Sequence, residues 1–327
     1  MSSLDRRTAV LLLNMGGPDS LGAVQPFLTR LFSDPAIVPL PGFFRLPLAR
    51  VLGRRRARKV RPRYSLIGGR SPIGEITDQQ AKALREILTE EAIDPAGVFP
   101  AFSYWHPLIA EAVRAAVLAG AEHLTALSLY PQYCSATTGA CVSDLSRSLP
   151  ETPFETSTTI IDSWPDHPGY LDALAGTVVE ALGRIPVEER DDAVILFSAH
   201  GVPESLVRRG DPYVEETART VAGVMERVGD RPHVLAFQSR LGPVRWTEPN
   251  LQTALRDLSL QGSPPLVVVP VSFVSDHIET LYELDIQHRD LALDLGFTRY
   301  ERAPALNTRP DFIRALADLI LDRLTPS

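Results

Sequence analysis

The sequence predicts an α/β protein made of two doubly wound halves, each built on a parallel sheet. Short apolar runs of strand length alternate with helical patterns from one end of the chain to the other. A proline-flanked turn, Leu149-Pro150-Glu151-Thr152-Pro153, interrupts the alternation near its middle. At 327 residues the chain is long enough for two compact domains, which this turn places at 1–149 and 150–327.

The elements follow in order. Ala9 to Leu13 is an unbroken apolar run, as a strand buried on both faces requires. After Gly16-Gly17-Pro18, the residues Leu21, Val24, Phe27, Leu28 and Leu31 recur at helical spacing. Val98 to Phe102 reads as the second strand. Pro107 and Gly120 bracket an Ala/Val-rich helix, and Leu124 to Leu129 is the third strand. The second half carries strands at Thr158 to Ile161, Ala193 to Phe197, Val234 to Phe237 and Leu266 to Val271. Asp311 to Leu324 is an amphipathic closing helix, able to pack back on the first domain.

Composition narrows the function. A net charge of −7 argues against a general nucleic-acid binder, because phosphate binding needs a basic surface. Cys134 and Cys141 are the two cysteines, too few for a disulfide framework, and a reducing compartment is the default. The polar start, Met1 to Arg7, runs straight into the first strand, so no signal peptide is expected. No apolar run approaches the roughly 20 residues that cross a bilayer. Charge is nevertheless uneven: between Asp34 and Glu75 there is no acidic residue, while arginines crowd in from Arg45 to Arg63. Before that basic run, Pro39 to Leu52 is apolar and broken by prolines, with Phe43, Phe44 and Leu46 at its centre. An apolar face beside cations suits a membrane interface, and the alternative is a core-packing loop followed by a solvated helix.

In parallel sheets, ligands bind beyond the carboxyl ends of the strands. Here those ends carry Asn14-Met15-Gly16-Gly17, Ser103-Tyr104-Trp105-His106, Tyr130-Pro131-Gln132-Tyr133-Cys134-Ser135, Ser198-Ala199-His200-Gly201, Gln238-Ser239-Arg240 and Ser272-Phe273-Val274-Ser275-Asp276-His277. Aromatic, hydroxyl and imidazole groups at such places suit a flat, largely apolar ligand. Gly16-Gly17-Pro18 lacks the spacing and the lysine of nucleotide loops, and zinc-type His and Cys pairs are missing. His200, directly after an apolar strand, is the natural proton acceptor near neutral pH, or else a hydrogen-bonded structural residue. Asp276, Glu279 and Glu283 are spaced by three and four, as on one face of a helix. They hold or pass a divalent cation, or they simply favour the positive end of the helix dipole. Two cysteines fall short of the four thiolates an iron–sulfur cluster takes, so buried hydrophobes is the better reading of both and no cluster is expected.

Six stretches together resemble the ferrochelatase family across nearly the whole chain. They are Leu13-Asn14-Met15-Gly16-Gly17-Pro18; Ile67-Gly68-Gly69-Arg70-Ser71-Pro72; Tyr130-Pro131-Gln132-Tyr133; Ser198-Ala199-His200-Gly201 with Arg209-Gly210-Asp211-Pro212-Tyr213; Gln238-Ser239-Arg240-Leu241-Gly242-Pro243 with Trp246; and Ser275-Asp276-His277-Ile278-Glu279-Thr280-Leu281. The resemblance implies two Rossmann-like domains with their sheets facing a central porphyrin cleft. It implies ferrous iron as a substrate and no organic cofactor. His200 matches the family's essential histidine, either proton acceptor or first iron ligand, and Glu279 its carboxylate on the opposite side of the ring. Asp276, His277 and Glu283 fall on the acidic helix linked to metal or proton traffic, which gives a metal-handling set of His200, Glu279, Asp276, His277 and Glu283. Met15, Tyr130, Ser135 and Trp246 match porphyrin-contacting positions. Tyr104, Gln238 and Ser239 at strand ends and Tyr213 after His200 complete the candidate contacts.

The same resemblance makes the 39–52 segment the cleft lip, which touches the membrane in many members. A cytoplasmic protein, peripheral on the inner face of the membrane, is therefore the expectation. Leu66 and Ser103 stand where some members carry propionate-binding arginines. The end at Ser327, without the cysteine-bearing tail of cluster-containing members, favours a monomer. Met15 favours protoporphyrin IX, since coproporphyrin users carry tyrosine there. The rivals are a coproporphyrin III or other tetrapyrrole chelatase and, in a different class, a non-catalytic tetrapyrrole-binding module.

Overall fold

The computed structural model describes residues 7–38, 40–91, 95–150, 152, 154, 157–239 and 244–324. Pro39 of the apolar segment, Glu151 and Pro153 of the central turn, residues 1–6, and Arg240 to Pro243 of the fifth matching stretch lie outside them.

Two four-stranded parallel sheets form the molecule. The first joins β1 (Thr8–Asn14), β2 (Gly97–Phe102), β3 (His123–Ser128) and β4 (Thr158–Ile161) in the order β2-β1-β3-β4. The second joins β5 (Val194–His200), β6 (His233–Gln238), β7 (Leu266–Pro270) and β8 (Tyr300–Arg302) in the order β6-β5-β7-β8. The spatial order is the same in both, so each sheet repeats one winding scheme. The central strands are buried on both faces, which is why they read as continuous apolar runs. In β1, Ala9, Leu11 and Leu13 pack on Ile109, Ala112, Val113 and Ala116 of the helix Ile109–Leu118, while Val10 and Leu12 are equally buried on the other face. In the second sheet, Val194 and Leu196 pack on Ala254, Leu255 and Leu258 of the helix Leu251–Leu260.

All seven predicted strands are present, with three differences. β5 runs on to His200, which is thus the last residue of the strand rather than the first of the loop. β4, read as the opening strand of the second half, pairs with β3 as an edge of the first sheet. β8 is an additional edge strand of three residues, too short and too polar for a periodicity signal.

The chain divides into two compact units, residues 1–163 with 313–327, and residues 164–312. The helix Gly42–Leu66 belongs to the first and runs unbroken through Pro47, one of the prolines expected to break the 39–52 segment, and through Pro62. Its buried stripe, Ala49, Gly53, Ala57, Val60 and Tyr64, is made mostly of small residues. At Gly53 even a methyl group would run into Thr29 of the neighbouring helix Val24–Phe32, so the two backbones cross at close range. That packing holds the helix despite the two backbone bonds its prolines forfeit. Phe43 and Phe44 in its first turns are 72% and 62% exposed. No helix among the described residues is long and apolar enough to cross a membrane.

Candidate active site

Parallel register sets the site in the second unit. His200 and Gln238 are paired residues at the ends of β5 and β6. The backbone N–H of His200 donates to Ser272 Oγ at 3.0 Å, just beyond β7. Gly201 lets the chain turn here, because a Cβ would sit 3.0 Å from the carbonyl oxygen of Gln238 and 3.1 Å from that of Ser239.

Facing them is a helix of unusual geometry. Glu279–His288 is a π-helix, wider than the α-helix its spacing predicts, a form frequent at functional sites. His288 Nδ1 bonds the Glu283 carbonyl at 2.7 Å and the Tyr300 hydroxyl donates to the Leu284 carbonyl at 2.8 Å, so two buried side chains satisfy its backbone.

His200 Nδ1 lies 2.8 Å from Glu279 Oε2. An ionised carboxylate only accepts, so Nδ1 carries the proton and Nε2 is the edge left for chemistry. Ser239 Oγ donates to Glu283 Oε2 at 2.6 Å and lies 3.3 Å from Glu279 Oε2. Ser239 has a φ of 60°, a left-handed backbone that a non-glycine residue rarely adopts, at the residue whose hydroxyl joins the two carboxylates. Gln238 Nε2 donates to the Glu279 carbonyl at 3.2 Å and reaches Glu283 at 3.4 Å, while its Oε1 accepts from Ser198 Oγ at 2.6 Å.

Electrostatics follow from these contacts. Burial by itself pushes the His200 imidazole down, but the Glu279 carboxylate outweighs it, Glu283 adds, and the net direction is upward. Burial pushes Glu279 up, yet His200, His277 and the Ser239 hydroxyl together hold it well below the usual carboxylate range. The His200 side chain remains 38% exposed, so water screens part of this coupling. Burial lowers His277, a neutral imidazole whose Nδ1–H donates to the Ser275 carbonyl at 3.0 Å. Its ring meets Phe273 edge-on at 4.5 Å, and Phe273 also presents to His200 at 6.4 Å.

The five-residue metal-handling set is brought together only in part: Glu279 contacts His200 and is bridged to Glu283 through Ser239, while Asp276 stands apart. Among the described residues no three His, Cys, Asp or Glu side chains come together to hold a cation. Asp276 lies before the helix rather than on its face, and its carboxylate bonds Arg302, Asn307 and Thr280. The physical reason is the helix start itself: the buried guanidinium and amide need an acceptor there, and Asp276 is the acceptor within reach. Arg302 and Asn307 are the residues that sequence reasoning missed, while Ser272 and Phe273 entered it only as part of a strand end. Asn307, also left-handed at φ 46°, left no signal in the sequence.

In the first unit, Met15 follows β1 directly and its carbonyl accepts the Tyr104 N–H at 3.1 Å. Tyr104 is buried, and its hydroxyl donates to Asp34 Oδ2 at 2.9 Å rather than standing free at the strand end. Tyr130 and Ser135 follow β3, half-buried. Tyr213 in the second unit is buried at the start of the helix Tyr213–Val228. Trp246 bridges to Pro203, and its indole Nε1 is buried without a hydrogen-bond partner among the described residues. Cys134 and Cys141 are both buried and are not joined in a disulfide.

A family model described as Ferrochelatase matches residues 7–324. A ferrochelatase of Geobacter metallireducens is 46% identical over 319 residues, spanning 97% of this chain and 98% of that one. One from a Nostoc strain is 44% identical over 323 residues, 97% of this chain and 82% of that one. Among solved structures, SirB from Bacillus subtilis with Fe3+ superposes with a TM-score of 0.60 at 12% identity, covering 98% of this chain and 96% of that chain. The sirohydrochlorin chelatase SirB of Bacillus subtilis subspecies spizizenii, in complex with cobalt, gives 0.54 at 13% identity over 97% and 94%. These two likenesses are of fold.

Proposed function

This chain belongs to the ferrochelatase family and inserts iron into a porphyrin, and we propose that the porphyrin is protoporphyrin IX and that His200 accepts the pyrrole protons. The 2.8 Å pairing of His200 with Glu279 carries the assignment of roles. Insertion removes two N–H protons from the ring as ferrous iron enters. An imidazole whose Nδ1–H is fixed on a carboxylate presents Nε2 as a base, and the imidazolium formed is stabilised by the same carboxylate. Glu279 and Glu283, joined through Ser239 and Gln238, both favour the charged form of His200. Iron is a substrate passing through.

Met15, Tyr130 and Ser135 of the first unit and Trp246 of the second are the proposed porphyrin contacts. Gln238 and Ser239 act on the carboxylates instead. Tyr104 and Tyr213, being buried, support the walls. The ring periphery supplies the binding energy that strains the macrocycle toward a geometry in which its nitrogens accept iron.

Protoporphyrin is favoured because Met15, at the end of β1, offers a thioether that packs on vinyl groups but gives a carboxylate no hydrogen bond. Leu66 and Ser103 withhold further charge, and the Ser103 hydroxyl is engaged with Cys141 at 3.1 Å. Comparing kcat/KM for protoporphyrin IX and coproporphyrin III at equal ferrous iron tests this. A preference for coproporphyrin rejects it.

The exposed Phe43 and Phe44 in the first turns of the basic helix support peripheral binding to an anionic membrane, the setting in which an apolar porphyrin is most available.

A further inference from the structure

We propose that Asp276, with Arg302 and Asn307, is a positioning residue that sets the start of the π-helix and through it the reach of Glu279 to His200. The inference rests on the catalytic pairing proposed above and reassigns a carboxylate that its spacing puts among the iron-handling groups.

Both oxygens of Asp276 are engaged. Oδ1 accepts from the Thr280 hydroxyl at 2.8 Å and lies 3.2 Å from Arg302 Nη1, and Oδ2 accepts from Asn307 Nδ2 at 2.9 Å. The backbone N–H of Asp276 donates in return to Asn307 Oδ1 at 2.9 Å, a reciprocal pair. Asn307 is itself fixed, because its N–H donates to the Val274 carbonyl at 2.7 Å. A carboxylate so occupied has to surrender a guanidinium, an amide and a hydroxyl before it can hold iron.

The same contacts fix Glu279 from both sides. Thr280, the next residue, accepts the His277 N–H at 3.0 Å while donating to Asp276. Arg302, the last residue of β8, reaches from Asp276 to Asp285 inside the helix, with Nε 2.6 Å from Asp285 Oδ1. One guanidinium thus spans the helix start and its second turn. It ties them to the sheet whose central strand ends in His200. Arg302 and Asp276 are only 13% and 16% exposed, so the ion pair is shielded from water and each charge depends on its partner. A shift of about 1 Å in a catalytic group can cost about a hundredfold in rate, so a clamp on Glu279 matters to turnover.

Transposing the pair tests the idea in the full-length protein. In Asp276→Asn, whichever way the new amide turns, an NH2 group faces another donor. In Asp276→Asn combined with Asn307→Asp, the reciprocal pair re-forms with the carboxylate moved to the other side. Two readouts are taken. One is the downfield imidazole N–H proton of His200 in histidine-labelled protein, identified by its loss in His200→Ala. The other is kcat and the KM for ferrous iron, per folded enzyme. The single change should move the His200 resonance upfield and lower kcat about tenfold, with iron KM little altered, and the double change should restore both. Should Asp276→Asn not fold, Arg302→Lys carries the same readouts, because an ammonium keeps the charge but loses the fork that reaches both carboxylates. A His200 resonance indifferent to these changes overturns the proposal. So does a rise in iron KM that the transposition leaves uncorrected, since that marks Asp276 as an iron ligand. An unmodified protein that metallates no porphyrin strikes the functional reading instead, and the resonance still reports on the clamp.

Discussion

His200 and Gln238 are register partners on the last rung of β5 and β6, and both side chains reach Glu279, His200 its carboxylate at 2.8 Å and Gln238 its backbone carbonyl at 3.2 Å. A strand pair ending in a base and an amide therefore holds the acid of the opposing helix from two directions. On the proposed reading, the chemistry falls on one imidazole edge.

His200→Ala removes that edge. Iron insertion should fall by about 10² to 10⁴, the usual contribution of a general base, while porphyrin affinity stays within about tenfold. Fluorescence titration with the porphyrin and a continuous insertion assay measure the two quantities. Near-normal turnover in the variant sinks the assignment.

Glu279→Gln should move the pH profile. The carboxylate raises His200 above its ordinary 6.5, so in the native protein the acid limb of kcat lies on the alkaline side of that value. Without it, burial prevails over the remaining pull of Glu283, and the limb moves toward acid as kcat falls. Stability shifts in a linked way. The raised His200 contributes fully below about 6.5 and its contribution is lost as pH rises through the folded value. The depressed Glu279 contributes above the ordinary carboxylate value and is lost as pH falls through its lowered one. Chemical denaturation of both proteins across pH checks the sign. An unmoved acid limb in the variant contradicts the coupling.

Replacing Phe43 and Phe44 by serine should weaken sedimentation with vesicles containing anionic lipid by at least about tenfold, since burying a phenylalanine side chain contributes about 1.5–3 kcal/mol. Porphyrin metallation in detergent should be unaffected. If the unmodified protein ignores such vesicles, the lip has another role.

Protein purified without oxygen should contain neither cluster absorption nor stoichiometric sulfide, and the double variant Cys134→Ser, Cys141→Ser should keep its activity. Burial pushes the Cys141 thiol up to about 12, so it is protonated and inert at neutral pH. A fast-reacting thiol in the folded protein speaks against this.

Much of the fold was legible because β1, β5 and β7 are buried on both faces and leave no polar interruption in the chain. β8 escaped notice for the opposite reason: Tyr300-Glu301-Arg302 is an edge strand chosen for what Arg302 and Tyr300 bind, not for burial. His200 and Glu279 were each legible, as a strand-end histidine and a member of an acidic run, but their pairing was not: the expectation put Glu279 across the ring from His200, and the 2.8 Å contact puts the two side by side. Nor was the π-helix, because a spacing of three and four fits an α-helix equally well. What widens it, the bonds from His288 and Tyr300 into its backbone, joins residues that no local pattern connects. Asp276 was misplaced on the same account.

The helix Gly42–Leu66 has a consequence for the solution around the protein. It carries nine cations and no carboxylate, and Arg50 with Arg54, Arg54 with Arg58, Arg55 with Lys59, and Lys59 with Arg63 stand one turn apart. Each like-charged neighbour costs about 0.2–0.5 kcal/mol, or about 1–2 kcal/mol for the four. Screening length shrinks from about 30 Å at 0.01 M salt to about 8 Å at 0.15 M. Dissolved salt therefore stabilises this helix by screening its own charges, and its amide protons should exchange more slowly as ionic strength rises.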